Sequence, residues 1–200
     1  SAEGIPAGES GLWQVVKVRL GKPVIVPRDG KPVLLDAGVY TKLTRYTTAH
    51  PFETGIGEVV MEDTIYELQT HFQFMFQAFG DVLITGLGLG CVARGTLVNP
   101  RVRSVTVVER DADVLKLVAP HMPKEIQIIH AEALEFLKSS DRKFDCTWHD
   151  LWTDEDAGEP HLAVRHLECI HAAQDITTGF QGAWAFPRNF RKLMRQENVI

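Results

Sequence analysis

DVLITGLGLG, residues Asp81 to Gly90, is the stretch on which the reading of this chain turns. Val82, Leu83, Ile84 and Thr85 form a β-branched and leucine run that empties into glycines at every second position, Gly86, Gly88 and Gly90. A turn without Cβ atoms lets a ligand come close to the main chain. Roughly 20 residues further on, Glu109 closes the next apolar run, VTVVE. A carboxylate at the tip of a neighbouring strand can accept both hydroxyl protons of a ribose. The pairing predicts a nucleoside-cofactor site.

Outward from that turn, strand and helix alternate. Strand 82–85 leads to a short helix from about Cys91, stopped by Asn99-Pro100. Strand 104–109 precedes a helix near 112–119, broken by Pro120 and Pro123. Strand 126–130 precedes a helix around 133–138, and strand 144–149 leads into an acidic loop and a helix near 162–174. A last strand is expected around 182–186, ending at Pro187. Such alternation means an α/β fold, a mostly parallel sheet with helices on both faces. Ligands then sit at the carboxyl ends of the strands, beside the first glycine turn. Only 14 residues follow Phe186, and 188–196 reads as helix, so the sheet is expected to be shortened at its C-terminal end. Its edge would need cover from that helix or from a partner subunit.

Residues 1–57 read as a small β-rich extension ahead of a nucleoside-cofactor domain over 58–200. WQVVKVRL from Trp13 partly alternates, as does the stretch from Val39 to Tyr46. Val24–Val26 and Val33–Leu35 flank PRDGKP, whose Asp29-Gly30 pair is a hairpin signal. Strands this few and short cannot make a core alone and must pack on something larger. Between the two parts, Thr64 and Glu67 form a candidate capping box. Ile65, Leu68, Phe72, Met75, Phe76 and Phe79 then follow helical spacing up to Gly80, a stripe expected to pack under the sheet.

Composition sets outer limits. At 44% hydrophobic and 24% charged the chain is an ordinary globule. It has no apolar run long enough for a membrane span and no basic-then-apolar export signal at its start. A net charge of −5 argues against nucleic acid as the main partner. Cys91, Cys146 and Cys169, without CxxC spacing, suggest free thiols in a reducing compartment, hence a cytoplasmic protein. The basic group Arg188, Arg191, Lys192 and Arg195 reads most simply as a solvated helix face. His161, His166 and His171 are five apart, which drifts around a helix and stacks no metal-ligand set.

The spacing of the glycines is GxGxG, and Cys91 stands where a dinucleotide motif has its third small residue, which does not exclude NAD. Glu132-Ala133 lies in HAEALEFL and Asp150 ends FDCTWHD. Taken with Glu109, these features resemble the Rossmann-like S-adenosylmethionine-dependent methyltransferase superfamily, and within it the spermidine synthases, over roughly residues 55–155. Like that family, the chain lacks an acidic residue two positions before the first glycine, where Ile84 stands. The resemblance implies a cofactor-binding set of Gly86, Leu87, Gly88, Gly90, Glu109, Arg110, Glu132, Ala133 and Asp150, with Asp150 also catalytic. The cofactor implied is S-adenosylmethionine or its decarboxylated form. Departures fall at the amine-handling positions. Leu89 replaces the family aspartate inside the turn, Thr153 stands at the second acid of the family's DxxD with Asp154 one late, and Glu67 falls at the family glutamine.

The resulting expectation is a methyltransferase of the spermidine synthase-like group, with a small-molecule acceptor. Aminopropyl transfer from the decarboxylated donor and a non-catalytic binding module stay open as alternatives. Asp150 is the expected base, ahead of His149, because strand neighbours point to opposite faces. Asp150, Asp154, Glu155, Asp156 and Glu159, with Trp148 and Trp152, read either as a receiver for a cationic acceptor or, more plainly, as a solvated loop. A homodimer through the extension or the sheet edge is expected.

Overall fold

Antiparallel pairing dominates the N-terminal part of the chain. Its strands are β1 (Gly8–Ser10), β2 (Trp13–Leu20), β3 (Val24–Arg28), β4 (Lys31–Leu35), β5 (Gly38–Arg45) and β6 (Glu58–Glu62). Four of them form a sheet in the order β1-β2-β5-β6, while β3 and β4 make a separate hairpin that turns at Gly30, φ 73°. The computed structural model describes residues 2–28, 30–46, 57–151 and 160–184, with backbone only for 160–163. Asp29 of the hairpin turn, the acids from Asp154 to Glu159, Trp152 and the basic residues after Pro187 lie outside the described residues.

β6 is a strand that the sequence reading did not expect. It pairs with β5, Leu43 opposite Met61, so this sheet runs past residue 57. The sheet does not stand alone. Ser10 Oγ donates to Asp113 Oδ1 at 2.6 Å and Trp13 Nε1 to Asp111 Oδ2 at 2.7 Å. Val15, Leu43 and Met61 join Val82, Ile84, Val105 and Val107 in one continuous core. Short strands thus gain their apolar burial from the domain that follows them.

Two short helices come next, α1 (Ile65–Gln69) and α2 (Phe72–Gln77). Thr64 caps the first, its hydroxyl accepting from the Glu67 N–H at 3.3 Å. The expected single stripe does not survive the break at Thr70–His71. Phe74, outside the stripe, is fully buried and stacks on Trp148 at 4.8 Å between ring centroids. Phe76 is 80% exposed, and Ile65, Phe72 and Phe79 are exposed as well. A break between two turns of helix shifts the phase of every later side chain, so a stripe counted straight through it points the wrong way.

From Gly80 onward the alternation is as expected. β7 (Gly80–Thr85), α3 (Cys91–Leu97), β8 (Val102–Glu109), α4 (Ala112–Val118), β9 (Ile126–His130), α5 (Ala133–Ser139), β10 (Phe144–His149), α6 (Pro160–Ala172) and β11 (Thr177–Ala183) follow in turn. The sheet order is β11-β10-β7-β8-β9, and every pairing is parallel. Side chains alternate across it: Val82 and Ile84 face the shared core, while Leu83 and Val108 meet Leu137, Cys169 and Ala173 on the other face. On α6, His166 is buried and His171 exposed, so the two histidines do not share a face.

The last strand begins earlier than 182–186. Gly179 and Gly182 hide it, because glycine weakens a strand signal. A Cβ at Gly179 would sit 2.6 Å from the Asp145 carbonyl oxygen, and one at Gly182 would sit 3.0 Å from the Trp148 ring. Both glycines therefore answer to close neighbours inside the sheet. Cys91, Cys146 and Cys169 are free and buried. Among the described residues no helix is long and apolar enough to cross a membrane.

Candidate functional site

The glycine turn joins β7 to α3, and all three of its glycines have positive φ: Gly86 at 96°, Gly88 at 49° and Gly90 at 70°. L-residues rarely adopt that conformation. The Gly86 N–H donates to the Val108 carbonyl at 2.8 Å, and the Gly90 N–H closes back on the Leu87 carbonyl at 2.7 Å. Beside the expected close approach of a ligand, the glycines answer to a second need. A Cβ on Gly86 would run into the Asp150 carbonyl oxygen, and one on Gly90 into the Met122 sulfur. At Gly88 it would stand 2.7 Å from Met61 Sδ. On the side a Cβ would occupy, the protein's own structure packs against this turn, while Gly86 and Gly88 also border open cavities.

Glu109, at the C-terminal tip of β8, is the polar centre beside it. Its Oε2 accepts from the Leu87 N–H and its Oε1 from the Asp111 N–H, both at 2.8 Å. The Arg110 N–H also acts on this carboxylate, which offers about four acceptor positions, so capacity for a further donor remains. Burial pushes this carboxyl upward, opposed by the hydrogen bonds from Asp111 and Leu87. The residues present here fit the paired hydroxyls of a ribose.

Two cavities meet at Glu109 and Arg110, which line both. With their mouths they enclose about 730 and about 430 Å³. The smaller is bounded by Gly86, Glu132, Ala133 and Arg165. Glu132 caps α5, its Oε2 accepting from the Glu135 N–H at 3.0 Å. The larger is bounded by Trp13, Arg45, Met61, Gly88, Asp150 and Trp184, among others. Of the residues expected to hold a cofactor, Leu87 and Gly90 touch neither cavity wall; Leu87 contributes its N–H to Glu109, and Gly90 closes the turn.

Asp150 follows β10 and its side chain is 13% exposed on the larger cavity. Burial first, and the Glu109 charge second, push its carboxyl up to about 7. His71 Nε2 lies 4.0 Å from Asp150 Oδ2. Burial holds His71 down to about 4, and neither ring nitrogen finds a hydrogen-bond partner among the described residues. His149 points the other way, as strand alternation requires. Its Nδ1 meets Thr85 Oγ1 at 3.0 Å, and burial lowers it to about 3. It is removed from the base role. Trp148 is 8% exposed and stacked on Phe74, so it does not receive a cation at a loop surface. Cys91, next to the turn, is no nucleophile: burial pushes its thiol up to about 12.

Sequence reasoning missed Met61 and His71. Met61 lies on a five-residue strand that carried no periodic signal, and the Leu89 N–H donates to its Sδ at 3.1 Å. Leu89 itself is fully buried in the shared core. The site thus fits a nucleoside at its Glu109 end, while the space over Gly88 and Leu89 is taken by a thioether.

No protein-family model matches the sequence, and no curated protein matches it. Solved structures do. A spermidine synthase in complex with the transition-state analogue AdoDATO superposes at a TM-score of 0.50 with 15% identity, covering 96% of this chain and 62% of that one. The spermidine synthase of Thermotoga maritima gives 0.49 and 15%, with 96% and 62% covered. Precorrin 8w decarboxylase of Methanobacterium thermoautotrophicum gives 0.45 and 16%, with 67% and 72% covered. The chain spans 62% of the length of the two spermidine synthases. At such identity the likeness is one of fold: the described residues form a Rossmann-like α/β fold, a parallel sheet with helices on both faces, with a β-rich N-terminal part.

Proposed function

We propose that this chain binds S-adenosylmethionine and acts as a methyltransferase of the spermidine synthase-like group on a small acceptor bearing an amine. The observation that carries the reading is Glu109, held by two backbone N–H groups on the wall between two cavities, with Asp150 in the larger one. Glu109 takes the ribose hydroxyls, and the cavity of Gly86, Glu132 and Ala133 takes the base. When bound, the cofactor would supply a methyl group on a sulfonium, whose C–S electron pair would stay on sulfur as the acceptor nitrogen takes the methyl, and Asp150 would be the group placed to take the amine proton. With its carboxyl pushed up to about 7, Asp150 is suited to exchanging a proton near neutral pH. Glu67, Asp111 and Asp150 on the same wall favour an acceptor that arrives positively charged, and Arg45 completes that wall. Holding such an acceptor in line can contribute several kcal/mol to the rate.

Aminopropyl transfer is the weaker reading. It needs an anion inside the turn for the donor's ammonium, and Leu89 is fully buried there. The test is calorimetric titration of the protein with S-adenosylhomocysteine and, separately, with NAD. Binding of the first without the second is expected. Binding of NAD alone, or of neither, would overturn the proposal.

A further inference from the structure

Met61 stands where the substituent on a nucleoside's 5′ carbon would run. If Glu109 holds the ribose and the base enters the smaller cavity, the 5′ arm enters the larger one, bounded by Gly88 and Met61. Met61 is only 7% exposed there. A Cβ on Gly88 would stand 2.7 Å from its Sδ and 3.1 Å from its Cε, so the thioether fills the space directly above the turn. The same sulfur accepts the Leu89 N–H at 3.1 Å. Thioether sulfur is a weak acceptor, and a carboxylate competing for that N–H would win on strength. An unbranched side chain with three rotatable bonds can also withdraw without breaking the backbone around it.

From this geometry we infer that Met61 is a specificity gate for the donor arm: short, uncharged 5′ thioethers bind with it in place, and an arm ending in a carboxylate must displace it. The inference rests on the nucleoside reading above and deepens it. A ligand that must first move a side chain binds more weakly by the fraction of protein already in the open state. The chain thereby discriminates between adenosine thioethers by arm length and charge, at a residue supplied by the N-terminal sheet.

The experiment is a calorimetric titration of the wild-type chain and Met61→Ala with 5′-methylthioadenosine and with S-adenosylhomocysteine. Removal of the gate is expected to raise the affinity for S-adenosylhomocysteine about tenfold while changing that for 5′-methylthioadenosine less than about twofold. An unchanged ratio of the two affinities overturns the gate and leaves the nucleoside reading standing. Failure of both proteins to bind either nucleoside overturns the nucleoside reading and the gate with it. Because Met61 is a core residue, a second measurement uses the wild-type chain labelled with 13C-methyl methionine, the Met61 resonance being identified from Met61→Leu. S-adenosylhomocysteine should shift that resonance and 5′-methylthioadenosine should not; equal responses, or none to either ligand at saturation, refute the gate.

Discussion

The two sides of the glycine turn are built from opposite materials. On one side stands Glu109, an ionisable group with two backbone hydrogen bonds and acceptor capacity to spare. On the other stand Met61 and Leu89, apolar, buried and closed over the main chain. Their origins differ too. Glu109 belongs to the same parallel sheet as the turn, fixed by register with Thr85 opposite Val108. Met61 comes from the antiparallel sheet and meets the turn across the core. The Glu109 side follows from the parallel sheet alone, whereas the Met61 side is supplied by a separate sheet across the shared core.

The largest expected effect is at the hinge between the sides. Gly86→Ala puts a Cβ at φ 96° against the Asp150 carbonyl oxygen, joining backbone strain to a clash that no side-chain rotation relieves. A loss of about 4 kcal/mol or more in urea unfolding is expected. A midpoint equal to that of the wild type would show that the two sides are not coupled through this turn.

Asp150→Asn comes next, read in stability against pH. The folded carboxyl is raised from 3.8 to about 7, so the native chain binds the extra proton between those values. Its contribution is fully present below about pH 4 and is lost as pH rises through about 7. His71, His149 and His166 work in the opposite sense, being lowered from 6.5 to about 4, 3 and 4. Their contribution is present above pH 6.5 and lost as pH falls toward 4. The variant should therefore gain on the order of 2–4 kcal/mol relative to the wild type at pH 8, with the difference vanishing near pH 4. An identical pH profile for both chains would remove Asp150 as the titrating group of the larger cavity.

Glu109→Ala sharpens the contrast directly. Loss of a charge-assisted contact to ribose should weaken S-adenosylhomocysteine about ten- to hundredfold in calorimetry, and unchanged affinity would empty the Glu109 side of its role. Glu132→Gln should cost only a few-fold, because one carboxylate oxygen is already engaged in capping α5. A larger loss than at Glu109 would move the centre of recognition to the smaller cavity.

Much of the Glu109 side was legible because its signals are local. The strands at 126–130 and 144–149 are apolar runs bounded by polar or proline-containing stretches, and they lie where they were expected. Glu109 closes such a run and its place follows from strand geometry alone. The Met61 side was not legible, because its contacts join residues far apart in sequence. EVVME is too short to reveal a strand, and nothing in it points to a glycine turn 25 residues away; only the pairing of Leu43 with Met61 brings the sulfur there. His71 was hidden by a helix that breaks where an unbroken one was assumed. The close packing of the glycines on Asp150, Met61 and Met122 was not legible, because each of these neighbours comes from a distant part of the chain.

A crystal structure of the chain with 5′-methylthioadenosine bound tests the central claim most directly. Both ribose hydroxyls are predicted within about 2.5–3.0 Å of the Glu109 carboxylate oxygens, with the base beside Glu132 and Ala133. A nucleoside seated elsewhere, or one whose ribose leaves Glu109 untouched, would contradict it.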